Sequence, residues 1–223
     1  MKFQHPEFES VLDKIIRTRR SFRESGAFLV GISGIDASGK SAWNRSLTEQ
    51  LSVRGWNVAS FNVDAWHHPP AVRFSTTDPA RHFYDHAFRW DEMFDRLILP
   101  LRNKRSVTLT MHLNRQPGDV MVEHTYDYQD IDIILFEGIF ILRKEYRRIY
   151  DLTFWIECSF ETALERAIAR NQEGLSEAEI IRDYQNIYFA AQKIHFAEDD
   201  PKSFADAIIF NDDRIPKVLS HVS

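Results

Sequence analysis

Residues 31–47 read GISGIDASGKSAWNRSL, and the apolar run AFLVGI at 27–32 leads into them. The chain has 8 glycines in 223 residues, yet Gly31, Gly34 and Gly39 fall within nine positions. Residues Gly34-Ile35-Asp36-Ala37-Ser38-Gly39-Lys40-Ser41 fit G-x-x-x-x-G-K-[ST] at every required position, between a strand pattern and a helix pattern. Chance supplies such a match in roughly one chain of this length in a hundred, before the flanking strand and helix are required. The plainer reading is a bare strand-to-helix turn. The preferred one is a cradle. Glycines let successive backbone N–H groups turn inward, and the helix start adds its positive dipole end. Gly34, Asp36, Ala37, Ser38, Gly39, Lys40, Ser41 and Ala42 are thus predicted to wrap the phosphates of a nucleotide such as ATP. Lys40 would reach the β/γ-phosphates and the Ser41 hydroxyl would hold Mg²⁺.

Outward from this loop, short β-rich apolar runs alternate with helical periodicity. Strands are predicted at 27–33, 57–63, 130–136, 152–156 and 207–210, and helices at 40–53, 160–171 and 176–194. The last helix opens with a capping box, Ser176 and Glu179. A helix over 7–25 carries Phe8, Val11, Leu12, Ile15 and Ile16 at helical spacing, and Gly26 stops it. The loop AWHHPPAVRFSTTD separates the second strand from a helical stretch that starts at Asp78-Pro79 and runs through Ile98. Two shorter strands, 106–112 and 121–128, flank the turn formers NRQPGD. The pattern is α/β: a three-layer sandwich around a mostly parallel five-stranded sheet. Residues 1–26 are expected to form a helix packed on a single domain spanning 27–223, with a small helical lid near 160–194. In such sheets ligands bind beyond the carboxyl ends of the strands, where Gly34, Asp64 and Glu137 all fall.

Composition narrows the function. A formal net charge of −5 argues against a nucleic-acid binder held by its overall field. The basic run at 14–23 reads as the solvated face of the first helix. One cysteine, Cys158, excludes an intrachain disulfide and a multi-thiolate zinc site. The first residues, MKFQHPEFES, lack the apolar core of a signal peptide. The longest apolar stretch, IILFEGIFIL, carries Glu137 at its centre. A cytoplasmic protein with no membrane contact is the expectation.

The residues around the cradle bear on the chemistry done once phosphate is bound. A switch GTPase requires D-x-x-G after the second core strand and [NT]-K-x-D. The sequence has D-x-x-G only inside the cradle and no [NT]-K-x-D. Glu137 ends the strand ILF where a carboxylate can order the water shell of Mg²⁺; the alternative is a solvated strand end. Asp64 ends the second strand and either accepts a proton from an attacking alcohol or caps the adjoining loop. Phosphoryl transfer rests on positioning and charge neutralisation, so one base, one metal and cationic clamps suffice. Arg166 and Arg170, four apart on one helix face, either close over the phosphates or pair with Glu165 and Glu173.

The stretches GISGIDASGKS, FNVDAWHHP, ILFEGIFIL, ALERAIARN and SFADAIIFNDD resemble, in that order, the uridine kinase-like group of P-loop kinases, which includes pantothenate kinase and phosphoribulokinase. The resemblance covers roughly residues 27–212. It implies a sheet order of 2-3-1-4-5, ATP as donor, Mg²⁺, Asp64 as the carboxylate activating the acceptor hydroxyl, and Arg166 or Arg170 in the lid. FYDHAFRWDEM looks like that group's helix after the acceptor loop. Where uridine kinases carry Tyr-Asp-Phe to read the nucleoside, this chain reads Met111-His112-Leu113-Asn114. Around the predicted acceptor pocket stand His67, His68, Arg73, His86, Trp90, His112 and Arg115. Each alone reads as surface or packing. Together they would suit a small hydroxyl-bearing metabolite that already carries a phosphate or carboxylate. The expected activity is an ATP-dependent small-molecule kinase. A nucleotide-binding regulatory module without an acceptor is the alternative.

Overall fold

The computed structural model describes residues 3–115, 120–171 and 174–215. Five parallel strands build the main sheet: β1 (Phe28–Gly34), β2 (Val58–Asn62), β5 (Ile133–Gly138), β6 (Leu152–Glu157) and β7 (Ala207–Phe210). Their order is β2-β5-β1-β6-β7, which in main-strand numbering is the expected 2-3-1-4-5. β1 lies at the centre and every one of its residues is buried, which is why AFLVGI reads as a continuous apolar run rather than an alternating one.

Alternate residues of β1 feed opposite faces. Phe28, Val30 and Ile32 join Trp43 and Leu47 of the Lys40–Val53 helix, with Leu12 and Ile15 of the Phe8–Ser21 helix. Leu29 joins Phe61, Phe136, Trp155 and the aromatic side chains of 83–94. The N-terminal helix stops at Ser21, short of the expected 25, because Phe22 turns extended (φ −65°, ψ 125°) and its ring meets Phe28 edge-on at 5.3 Å. Of the basic run at 14–23, Arg17, Arg20 and Arg23 are exposed, whereas Lys14 donates to the Asp206 carbonyl and the partly buried Arg19 to the Asp132 carbonyl, so the run is solvated only in part.

A separate antiparallel pair, β3 (Val107–Arg115) and β4 (Val120–Tyr128), runs longer than the sequence suggested; residues 116–119 of the predicted turn lie outside the described residues, as does Glu173. Over the carboxyl end of the sheet lie the Phe160–Arg170 helix and a second helical run from Glu177 to Asp199. That run carries the expected capping box, reaches five residues past 194, and is interrupted by a π turn at Tyr184–Tyr188. Among the described residues no helix is long and apolar enough to cross a membrane.

Candidate active site

The carboxyl edge of the sheet opens into a cleft of about 460 Å³, within the range of small-ligand sites. Its floor is the loop between β1 and the Lys40–Val53 helix. Gly39 caps that helix at φ 101°, and a Cβ there would collide with the Asn211 side-chain amide. At Gly34 a Cβ would lie 2.7 Å from both the Ile156 carbonyl oxygen and Ser38 Oγ. Ala37 itself holds φ 55°. The loop backbone is therefore bent in the way an anion nest demands. The Ser38 hydroxyl is fully buried with no hydrogen-bond partner. Asn211 Nδ2 donates to the Ser38 carbonyl at 2.7 Å and braces the loop from behind.

Loop, strand ends and acids are joined by hydrogen bonds. Lys40 is 7 % exposed and donates from Nζ to the Ile35 carbonyl at 2.7 Å. Ser41 Oγ donates to Glu137 Oε1 at 2.8 Å, and Asn62 Nδ2 donates to the same oxygen at 2.7 Å. The parallel register sets Asn62 opposite Glu137. Asn62 Oδ1 in turn accepts from the Asp64 backbone N–H at 2.6 Å, fixing the turn that brings Asp64 into the cleft. Burial pushes the Glu137 carboxyl up to about 7, against the pull of Lys40 and with the push of Asp64. Asp36 behaves in the opposite sense. Burial alone would raise it, but Lys40 and Arg170 nearby and a hydrogen bond from Tyr184 hold it below its ordinary value.

Arg166 and Arg170, the two arginines expected in a lid, occupy different stations. Arg166 donates to the Asn211 carbonyl at 2.8 Å and to the Ser38 carbonyl at 3.3 Å, so its guanidinium is tied to the back of the loop. Arg170 reaches Asp36 only at 3.9 Å and leaves 43 % of its side chain exposed. Both line the cleft.

Of the residues expected around the acceptor, Asp64, His67 and Arg73 line the cleft. Arg73 is 5 % exposed, donates to the His68 carbonyl at 2.9 Å and lies over the Phe74 ring. Four others lie elsewhere. His86 is on the outward face of its helix, stacked on His82 at 4.4 Å and donating to the His82 carbonyl. His112 is exposed because strand alternation buries its neighbours Met111 and Leu113 instead. Trp90 is packed flat against Tyr146 at 5.5 Å and lines a second cavity of about 430 Å³ that also contains His68. The side chain of Arg115 lies outside the described residues. Sequence reasoning missed Phe74, Phe83, Leu175, Asp183 and Tyr188, which complete the cleft wall. Phe83 lay within a recognisable apolar helix face. Asp183 closes the Glu177–Asp183 helix and Tyr188 closes the π turn that follows it; a π turn leaves no mark on hydrophobic periodicity.

No family model matches the chain. A uridine kinase from Macrococcus caseolyticus is 25% identical over 186 residues, covering 81% of this chain and 86% of that protein. Among solved structures, a possible uridine kinase from Bacillus stearothermophilus superposes with TM-score 0.72 at 23% identity, covering 91% of this chain and 99% of the other. A D-glycerate 3-kinase from Cryptococcus neoformans shares the fold at TM-score 0.64 and 10% identity, with 93% and 97% covered.

Proposed function

The chain is a distant relative of the uridine kinase-like P-loop kinases, and we propose that it transfers the γ-phosphate of ATP to a hydroxyl of a small metabolite. The observation that carries this reading is the hydrogen-bonded line from Ser41 through Glu137 and Asn62 to Asp64 inside one cleft. It joins the phosphate loop, a candidate metal carboxylate and a candidate base. Gly34 to Ala42 cradle the triphosphate, and Lys40 exchanges its bond to the Ile35 carbonyl for the phosphate oxygens. The orphaned Ser38 hydroxyl suits a bound anion, and the absence of a side chain at Gly39 leaves room for the Asn211 amide that braces the loop.

Magnesium fits the donor set. Ser41 Oγ and Glu137 are hard oxygen donors, and among the described residues no group of three or more His, Cys, Asp or Glu side chains forms a metal cage. That is the expected situation for Mg²⁺, which keeps waters and takes further oxygens from phosphates. When bound, the ion neutralises charge on the phosphoryl oxygens. Glu137 and Ser41 would hold it, Asp64 would accept or orient the acceptor proton, and Arg170 would approach the transferring group. His67, Arg73, Asp183 and the aromatic wall of Phe74, Phe83 and Tyr188 would enclose the acceptor.

Two measurements on one variant test the assignment. Asp64→Asn keeps the shape of the side chain but removes the basic carboxylate. It is expected to bind ATP as the parent does and to lower acceptor phosphorylation by roughly 10²–10⁴-fold, with the acceptor found by screening metabolites for stimulated ADP release. Unchanged phosphorylation removes Asp64 from the mechanism. If no metabolite stimulates ADP release in the parent, a nucleotide-binding regulatory module becomes the better reading.

A further inference from the structure

An acid inside an anion-binding loop is an electrostatic anomaly. Asp36 stands in the middle of the cradle, where its carboxylate repels the phosphates that the loop is shaped to attract. Its surroundings account for its presence. Asp36 Oδ1 accepts from the Ala37 backbone N–H at 2.8 Å, which holds Ala37 in its left-handed conformation. Oδ2 accepts a hydrogen bond from the Tyr184 hydroxyl. Tyr184 is 2 % exposed, and its hydroxyl also accepts from Arg170 Nη2 at 3.4 Å. The same guanidinium nitrogen lies 3.9 Å from Asp36 Oδ2. Loop carboxylate, lid phenol and lid guanidinium thus form one closed cluster at the rim of the cleft.

Tyr184 opens the π turn that interrupts the 177–199 helical run. Such turns are rare and are frequent at functional sites, although a second one, Phe94–Ile98, packs into the core. Neighbouring rings keep the tyrosine fixed: Tyr188 meets it at 5.2 Å and 73°, and Phe189 at 5.2 Å and 81°. With the phenol immobilised, Asp36 is held against the lid and the two together present Arg170 to the cleft.

We infer that Tyr184, through Asp36, is a positioning residue that aims Arg170 at the phosphoryl group in transfer. The inference rests on the kinase reading above and assigns Tyr184 no contact with substrate. It explains why a carboxylate is kept in the cradle: it orients a cation that is worth more at the transition state than the repulsion it adds to the ground state.

The test needs no acceptor. Affinity for Mg·ADP, and for Mg·ADP with fluoroaluminate as a mimic of the phosphoryl group in flight, is measured by calorimetry. The proteins compared are the parent, Tyr184→Phe, Arg170→Ala and the double variant. Tyr184→Phe removes one oxygen and keeps the packed ring. It is expected to bind Mg·ADP within about twofold of the parent and the fluoroaluminate complex about tenfold more weakly, the scale of one charge-assisted hydrogen bond. In the Arg170→Ala background the same substitution should add nothing. Equal weakening of both ligands by Tyr184→Phe would make its role one of loop structure and overturn the inference. So would a full additional loss in the double variant, or parent-like affinity for the mimic in Tyr184→Phe. If the parent itself binds Mg·ADP but shows no gain with fluoroaluminate, the kinase reading fails instead.

Discussion

Glu137, the penultimate residue of β5, has 2 % of its surface exposed, and burial pushes its carboxyl up to about 7. In the unfolded chain the same group titrates near 4.5. Between these values the native protein holds a proton that the unfolded chain has released. Stability of the nucleotide-free protein should therefore fall as pH rises from about 4.5 to about 7 through this group. The contribution is on the order of 3 kcal/mol. Glu137→Gln retains an oxygen to accept from Ser41 and Asn62, and should gain on the parent in urea melts at pH 8 relative to pH 5. A constant difference between the two proteins across that interval would show that the carboxyl is not held protonated. At the neighbouring Lys40, replacement by alanine removes the cation facing the phosphates. Turnover should drop by about 10²–10³-fold while the circular dichroism spectrum stays unchanged; parent-like turnover would remove the loop from the chemistry.

The helices above the cleft divide their work. Arg166 secures the loop through two carbonyls, whereas Arg170 stands at the cleft rim beside Asp36. Arg166→Ala is therefore expected to weaken ATP binding about tenfold, the scale of one charged hydrogen bond, with turnover at saturating ATP much less affected. Arg170→Ala should show the reverse split. Titrations of binding and turnover on both variants check this, and identical profiles would merge the two roles. The sequence made these elements visible for a local reason. The cradle is contiguous, its turn chemistry is carried by glycines, and the central strand is uniformly apolar, so loop and sheet were legible, as were the helices above the cleft. Side-chain direction was not. His112 sits in an anticipated strand but points away from the cleft through strand alternation, and Trp90 opens a new helix after a break at 87–89 that interrupts the single helical stretch expected through Ile98. Asp183 and Tyr188 line the cleft from either side of a π turn that a 3.6-residue period cannot register. Arg73 was legible only as one cation among several.

At the scale of the whole molecule, the sheet is covered on one side by the first helix and the phosphate-loop helix, with Leu12 and Ile15 wholly buried between them. Ile15→Ala opens a cavity there and should cost about 2–5 kcal/mol in denaturant unfolding, with ATP affinity retained in the folded protein. A loss under about 1 kcal/mol would mean that the helix is not anchored as described. The order of the sheet has a further bearing on how the protein is made. β1 holds the central place, yet its neighbours β5 and β6 begin only at residues 133 and 152. The amide that braces Ser38 belongs to Asn211, 173 residues further on. A chain growing from a ribosome at about 5–20 residues per second thus leaves both edges of β1 unpaired for several seconds before either flanking strand exists. Nucleotide cannot rescue that interval, since the brace beneath its cradle emerges later than both flanking strands. The earliest glycine-rich stretch to leave the tunnel is among the last parts of the protein to become a binding site.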